Sequence, residues 1–251
     1  MENTTWRTRL VERHPWMLYL LPFVVYMIAG ALEPDPHGCP NCPLSYAWAY
    51  AIKIALTVAA VAVVWPGYRQ FAPRVTLLAI LVGIVGGPLW IAICNLDIEH
   101  KHLLPILKQA GLGSLIGAGD RPAFNPFDPK YDLSALSAWC FMVVRFFGLV
   151  AVVPLIEEFF LRGFAMRFVM EHEWWKVPFG NASRAAIAVG TALPMLTHPG
   201  ELLAAAVWFS MITWLMLKTR TIWDCVAAHA LTNLILGVYV VWHGGAAWRL
   251  L

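Results

Sequence analysis

Apolar residues dominate this chain in long uninterrupted runs. A helix that crosses a bilayer needs about 20 mostly apolar residues, and seven runs reach or approach that length. They cover residues 16–32, 44–65, 75–95, 134–160, 184–198, 201–217 and 222–242. An eighth helix is possible over residues 103–119, if that segment dips into the bilayer. The pattern predicts an all-α fold, a multi-pass transmembrane bundle of about seven to eight helices, in one integral membrane domain over residues 1–251.

The composition supports the membrane assignment. Hydrophobic residues make up 60% of the chain and charged residues only 13%, whereas soluble domains carry about 25% charged residues. A water-soluble fold of this size would not hide so much apolar surface. We therefore expect the lipid bilayer as a partner and no nucleic acid.

Basic residues are grouped in some of the segments between the apolar runs. Short cytoplasmic loops collect Lys and Arg, which predicts a cytoplasmic N-terminus. The groups are Arg7, Arg9 and Arg13; Arg69 and Arg74; the stretch 162–184; and Lys218 with Arg220. Residues 95–133 argue against this orientation, since they fall outside yet hold four basic residues. That segment is long, however, and long loops obey the rule weakly.

Cys39 and Cys42 form a CxxC in the first loop. A disulfide or an incidental pair is favoured there over a redox dithiol or half of a zinc site. No second CxxC is present to complete a zinc set.

Two adjacent carboxylates interrupt the fourth apolar run. Ionisable side chains are costly in hydrocarbon, so they are candidates for function. Residues four apart share a helix face, so Glu158 is expected to pair with Arg162, while Glu157 points elsewhere and is available. The arrangement fits a general base. It equally fits a helix end at the interface with an ordinary salt bridge.

Two further polar sets lie downstream. His198 ends an apolar run of about 15 residues, too short to cross comfortably, and Pro199 and Gly200 stop the helix there. His229 and Asn233 lie four residues apart on one face of the last long helix. Such a pair can hold helices together or stabilise an oxyanion.

Two other embedded charges, Lys53 and Arg145, have no acidic neighbour at helical spacing. Long basic side chains can snorkel or pair across helices. Both are interpreted as structural.

Taken together, the three polar sets resemble the CAAX protease and bacteriocin-processing family, which includes the Ras-converting CAAX endopeptidase. Its EExxxR motif is matched by residues 157–162, and its HxxxN motif by His229 to Asn233. The FxxxH motif is matched only in part, because Pro194 stands where the family has Phe, and Pro194 is expected to kink the helix. The similarity covers roughly residues 150–236. Overall length and layout also resemble the related proteins of bacterial exosortase sorting systems.

The resemblance implies an intramembrane endopeptidase of the glutamate type. Glu157 would activate a water with help from His198, and His229 and Asn233 would form an oxyanion hole. Glu158 and Arg162 would orient the site, and a role of Glu158 in the chemistry stays open. No cofactor is expected; a divalent metal is the weaker alternative, since Asn is a poor zinc ligand and HExxH is absent.

These inferences predict hydrolysis of membrane-associated or membrane-proximal protein segments, in the cytoplasmic membrane of a bacterium. The oligomeric state is left open. The alternative is a non-catalytic scaffold or partner of a sorting or bacteriocin system, in which the polar cluster only holds helices. A proton-coupled transporter is disfavoured because no inverted repeat is seen.

Overall fold

The chain forms a helical bundle, as the apolar runs predict. The computed structural model describes residues 5–36, 45–111 and 123–250, so the prediction for Cys39 and Cys42 lies outside the described residues. The helices are α1 Trp6–Arg13, α2 Met17–Ala31, α3 Tyr46–Tyr68, α4 Leu77–Leu96, α5 Leu104–Gln109, α6 Ala135–Phe147, α7 Val153–Glu158, α8 Met166–Phe168, α9 Arg184–Thr197, α10 Leu202–Thr219 and α11 Ile222–His243. Each of the seven predicted runs contains a helix, and the described residues contain no strand.

Several of these helices are long and apolar enough to span a membrane. Among the described residues there are five such spans. Three are α3, α10 and α11. The other two join consecutive helical segments: Leu77–Leu103 begins with α4, and Ala135–Phe168 runs from α6 to α8. A sixth arises if α1 and α2, bent by 99°, are counted as one span. Helix α9 is apolar but only 14 residues long, as its sequence predicts. The chain is an integral membrane protein.

The central helix of the bundle is longer than the sequence indicates. Helices α6, α7 and α8 are joined by two π-helical segments, Gly148–Val152 and Phe159–Ala165, into one continuous rod. The apolar run stops near residue 160, but the helix continues to Phe168. Glu157 therefore lies inside a spanning helix and not at its end, where the interfacial interpretation would put it.

Helices α4 and α11 run parallel and in close contact through glycines of α4. A Cβ atom at Gly83 would lie 2.9 Å from the Ala228 carbonyl oxygen, and one at Gly87 would lie 2.6 Å from Ile235 Cγ2. Small residues let membrane helices approach closely, which favours van der Waals packing. At the start of both helices, buried Asp224 accepts hydrogen bonds from Thr76 N at 2.7 Å and Thr76 Oγ1 at 2.9 Å. These contacts fix the register between α4 and α11.

Replacement of Gly86 by Ala should destabilise the bundle. The added Cβ would lie 2.6 Å from Thr232 Oγ1 and 2.7 Å from Trp208 Nε1, two atoms that hydrogen-bond each other. Overpacking of this kind costs about 1–3 kcal/mol. We expect a lower midpoint in thermal unfolding of the detergent-solubilised protein. The control is Gly30→Ala, whose Cβ meets nothing closer than 3.7 Å; equal melting of the two variants would contradict the packing argument.

Candidate active site

Glu158 is fully buried and binds two other residues of the site. Its Oε2 lies 2.7 Å from Arg162 Nη1, one turn along the rod, as the spacing of the two residues predicts. Its Oε1 lies 2.9 Å from His229 Nδ1 on α11. Arg162 in turn donates from Nη2 to the Phe209 carbonyl oxygen on α10 at 3.2 Å. One buried ion pair therefore connects the rod to α10 and α11.

His229 lies between the two carboxylates. Its Nδ1 faces Glu158, and its Nε2 lies 4.0 Å from Glu157 Oε2. The indole of Trp208 packs edge-on against the imidazole, with ring centroids 4.6 Å apart. Trp208 is itself held by its hydrogen bond to Thr232 Oγ1 at 3.1 Å. An ionised carboxylate can only accept, so Nδ1 carries a proton when it faces ionised Glu158.

Asn233 meets the rod at the first π-helical segment. The Val153 N–H donates to the Gly148 carbonyl oxygen, and Pro154, five residues after Leu149, has no N–H to offer. The Leu149 carbonyl oxygen therefore needs an outside donor, and Asn233 Nδ2 supplies it at 2.9 Å. An amide nitrogen carries two hydrogens, so Asn233 can still donate a second hydrogen bond.

His198 is positioned by the end of α9. The His198 N–H bonds to the Met195 carbonyl oxygen, which leaves the Pro194 carbonyl oxygen for side chains. His198 Nδ1 lies 2.9 Å from that oxygen, and since a carbonyl only accepts, Nδ1 is protonated. In the neutral imidazole, Nε2 then carries the basic lone pair. The imidazole packs against the rings of Trp90 and Phe209, each with centroids 5.6 Å away.

A cavity of about 400 Å³ brings the predicted groups together. Glu157, His198, His229 and Asn233 all line it, although they come from three separate segments of the chain. Glu158 and Arg162 lie behind this wall and do not line the cavity. Glu157 is partly accessible, with 23% of its side chain exposed. The rod continues to Phe168, so Glu157 lies within a spanning helix, and the short α9 ends at His198; both side chains reach the cavity.

The cavity also has a wall that the sequence reasoning did not assign to the site. Lys53 and Arg145, interpreted above as structural, line the cavity together with three tyrosines and Glu33. Lys53 Nζ lies 2.9 Å from Glu33 Oε1. The only sequence signal for these two basic residues is their position in apolar runs, the same signal that singled out Glu157.

A metal site was the weaker alternative for the chemistry. Within the described ranges, no three His, Cys, Asp or Glu side chains are grouped so that they could hold a metal ion.

Comparison with protein families gives a match. Residues 139–235 match the family model described as type II CAAX prenyl endopeptidase Rce1-like. This segment is similar to that family and is called the Rce1-like domain below. It runs from the rod to α11 and contains every residue of the three sequence motifs. Comparison of the chain with curated proteins and with solved structures finds no match.

The Rce1-like domain supports a membrane protease, and hence a hydrolase, as the resemblance implies. The family model does not extend to helices α1 to α5, so Lys53, Glu33 and Trp90 contribute to the cavity from outside the Rce1-like domain. The assignment to the exosortase-associated subgroup stays a prediction.

Proposed function

We propose that this protein is a membrane-embedded endopeptidase that hydrolyses peptide bonds with a water activated by Glu157. The observation that supports this function best is the shared cavity of Glu157, His198, His229 and Asn233. Peptide hydrolysis needs a proton acceptor for the attacking water and donors for the developing oxyanion. A carboxylate, two imidazoles and an amide supply both without a nucleophilic Ser or Cys.

Glu157 is proposed as the general base. It would take a proton from the water while the water oxygen attacks the scissile carbonyl carbon. When the tetrahedral intermediate collapses, the C–N bond breaks and the proton passes to the leaving amine, which yields one new carboxylate and one new amine. His198, with its Nδ1 bonded to the Pro194 carbonyl oxygen, would use Nε2 to help in the proton transfers.

The oxyanion would be stabilised by His229 and Asn233. His229 must then donate from Nε2 while Nδ1 donates to Glu158, which requires the imidazolium form. That form is compatible with the charges around it, since Glu157, Glu158, Arg162 and His229 together carry no net charge. Glu158 and Arg162 are proposed to orient His229 rather than to touch the substrate, as both are buried behind the cavity wall.

An apolar opening suggests how the substrate arrives. Besides the main cavity, Glu157 lines a small pocket of about 30 Å³ together with Phe23 of α2, Phe160 of the rod and Leu193 of α9. Its almost wholly apolar lining is suited to a membrane-associated segment of another protein. We propose such segments as substrates and, from the Lys and Arg distribution, a bacterial cytoplasmic membrane with the N-terminus in the cytoplasm.

A non-catalytic scaffold is the second candidate. It is favoured by the hydrogen bonds that Asn233 and His229 already make to Leu149 and Glu158, because these bonds hold helices together whether or not chemistry occurs. The two functions differ in one measurable respect: only the endopeptidase cleaves peptides when it is purified and placed in liposomes.

Replacement of His198 by Ala tests the proposed function. We expect a fall in kcat of about 10²-fold, the lower end of the range for general acid–base groups, with little change in the circular dichroism spectrum. The assay is mass spectrometry of farnesylated and unmodified CAAX peptides and of randomised apolar peptides incubated with the protein in liposomes.

His243→Ala is the matched control for this variant. The His243 Nδ1 contacts the Tyr239 carbonyl oxygen, four residues back, in the same way that His198 contacts Pro194, but His243 is exposed and does not line the cavity. It should retain full activity. Absence of cleavage of every peptide by the wild-type protein would favour the scaffold instead.

A further inference from the structure

One hydrogen bond does not fix the orientation of the His229 imidazole. The contact between Nδ1 and Glu158 Oε1 sets the position of one ring nitrogen. The ring can still tilt about that contact, because the torsion that turns a histidine ring has a broad energy profile. The tilt decides where Nε2 points, and Nε2 is the atom proposed to donate to the oxyanion. A second contact is needed to define its direction.

Trp208 of α10 supplies a second contact. Its indole lies edge-on against the imidazole of His229, with ring centroids 4.6 Å apart and ring planes at 64°. Both residues are almost completely buried, at 2% exposure for Trp208 and 5% for His229. The imidazole therefore cannot tilt toward the indole unless the indole moves as well. The contact restricts His229 as long as Trp208 is itself held in place.

A hydrogen bond to Thr232 of α11 holds the indole. Trp208 Nε1 donates to Thr232 Oγ1 at 3.1 Å. A threonine hydroxyl has a single hydrogen, and Thr232 donates it to the Gly83 carbonyl oxygen of α4 at 3.2 Å. The hydroxyl oxygen is thereby left to accept from the indole. A chain of contacts runs from the backbone of α4 through Thr232 and Trp208 to His229.

Thr232 differs in this respect from two other buried threonines. The hydroxyls of Thr57 and Thr213 donate to carbonyl oxygens four residues back in their own helices, those of Lys53 and Phe209. This arrangement is common for threonine inside a helix. The hydroxyl of Thr232 instead donates to a different helix. That interhelical bond sets the direction from which its oxygen accepts the indole N–H.

Glycines of α4 leave the space for this pair. A Cβ atom at Gly86 would lie 2.6 Å from Thr232 Oγ1 and 2.7 Å from Trp208 Nε1. A Cβ atom at Gly83 would lie 2.9 Å from the Ala228 carbonyl oxygen. Helix α4 lies outside the Rce1-like domain. The domain therefore obtains from a neighbouring helix both the acceptor for Thr232 and the space in which Thr232 meets the indole.

We propose that Trp208 and Thr232 are positioning residues of the active site. Their hydrogen bond holds the indole against His229 and thereby directs Nε2 toward the scissile carbonyl. This inference rests on the proposed endopeptidase function and deepens it. Neither residue exchanges a proton with the substrate; both act through the orientation of the imidazole. Misplacement of a catalytic group by about 1 Å can lower the rate about 10²-fold.

Thr232→Val tests the pair with little change in shape. The variant keeps a branched side chain but removes the oxygen that accepts from Trp208. We expect kcat for peptide cleavage in liposomes to fall about tenfold, a partial misplacement on the scale above. KM should be unchanged, because the imidazole is proposed to bind charge that develops only in the transition state. Thr232→Ser, which keeps the hydroxyl, should retain most of the activity.

Thr57→Val is the matched control. Thr57 is fully buried, but its hydroxyl donates within its own helix and it does not line the cavity. We expect this variant to keep the kcat of the wild type. A lower kcat in Thr57→Val than in Thr232→Val would contradict the proposal.

Trp208→Phe gives a second route to the same bond and serves if Thr232→Val fails to fold. It keeps an aromatic ring and removes the N–H, so no buried indole donor is left without a partner. Its kcat should fall while KM stays unchanged. The double variant Thr232→Val/Trp208→Phe should be no slower than Trp208→Phe alone, because both changes remove one shared interaction. Losses that multiply in the double variant would disprove the proposal.

A spectroscopic measurement reports on His229 without cleavage. Full-length protein labelled with ¹⁵N-histidine is studied in liposomes by solid-state NMR, and the ring signals of His229 are identified by their absence in His229→Gln. We expect narrow ring signals in the wild type. In Thr232→Val they should be broadened or split as the tilt of the imidazole varies. In Thr57→Val they should match the wild type.

The outcomes separate this inference from the proposed function. If Thr232→Val leaves kcat and the His229 signals as in the wild type, the pair serves helix packing alone. The inference is then disproved and the endopeptidase stands. If the signals change but kcat does not, the tilt does not matter for the reaction and the inference is again disproved. If the signals change and the wild type cleaves no peptide, the orienting pair stands and the endopeptidase is disproved.

Discussion

Replacement of Glu157 by Gln should reduce peptide cleavage by at least about 10³-fold, near the upper end of what a general base contributes. The amide keeps the size and polarity of the side chain but cannot take a proton from water. Glu157 is the accessible member of the carboxylate pair and lines the cavity, whereas Glu158 is buried behind it. The loss should appear in kcat, because substrate binding does not require the base.

Glu201→Gln is the matched control for this substitution. Glu201 is a buried carboxylate that lines the same cavity, so the variant tests whether the loss of any carboxylate from the cavity lowers activity. We expect Glu201→Gln to keep most of the activity when both variants are compared by cleavage of the same peptides in liposomes. A Glu157→Gln protein that cleaves as fast as the wild type would remove Glu157 from the mechanism.

The local part of the site was predictable from sequence. A pairing between Glu158 and Arg162 follows from their spacing on one helix, and the structure contains it at 2.7 Å. The end of α9 at His198 follows from Pro199 and Gly200. The extension of the rod beyond residue 160 was not predictable from sequence. The charges of Glu157, Glu158 and Arg162 are typical of a helix end. The residues that bind two of them, His229 for Glu158 and the Phe209 carbonyl oxygen for Arg162, are known only from the structure.

The cavity wall that carries Lys53 and Arg145 shows the limit of spacing arguments. A search along one helix finds partners only at i±3 and i±4, and neither Lys53 nor Arg145 has an acidic residue there. Lys53 pairs with Glu33, which lies just after α2, and Arg145 of α6 donates to the Tyr46 hydroxyl on α3. Contacts of this kind depend on how the helices pack, which a single sequence does not specify.

The role of Asn233 could not be inferred from its own helix either. Its partner, the Leu149 carbonyl oxygen, lies in the π-helical segment and needs a donor, because the residue five positions later is Pro154, which has no N–H. Pro154 is visible in the sequence, but the π-helical hydrogen bonding is not. The interpretations of Asn233 as helix contact and as oxyanion donor are therefore compatible, since one N–H serves Leu149 and the second can face the cavity.

Arg162→Met should be the most destabilising of the substitutions considered. Arg162 and Glu158 are almost completely buried and form an ion pair, and removal of one partner leaves a buried charge without compensation, at a cost of about 3–5 kcal/mol. The free energy of unfolding, measured by SDS titration in mixed micelles, should fall by that amount. Lys176→Met breaks a pair of similar length, 2.6 Å to Glu173, but at an exposed site, where the loss should stay below about 1 kcal/mol.

The double variant Glu158→Leu/Arg162→Met separates stability from catalysis. Replacement of both charges by apolar groups is often neutral for stability, so most of the lost unfolding free energy should return. Cleavage should nevertheless stay low, because His229 Nδ1 loses the carboxylate 2.9 Å away that orients the imidazole and balances its charge. A double variant that regains both stability and cleavage would show that His229 needs no carboxylate behind it, and that the buried pair serves folding alone.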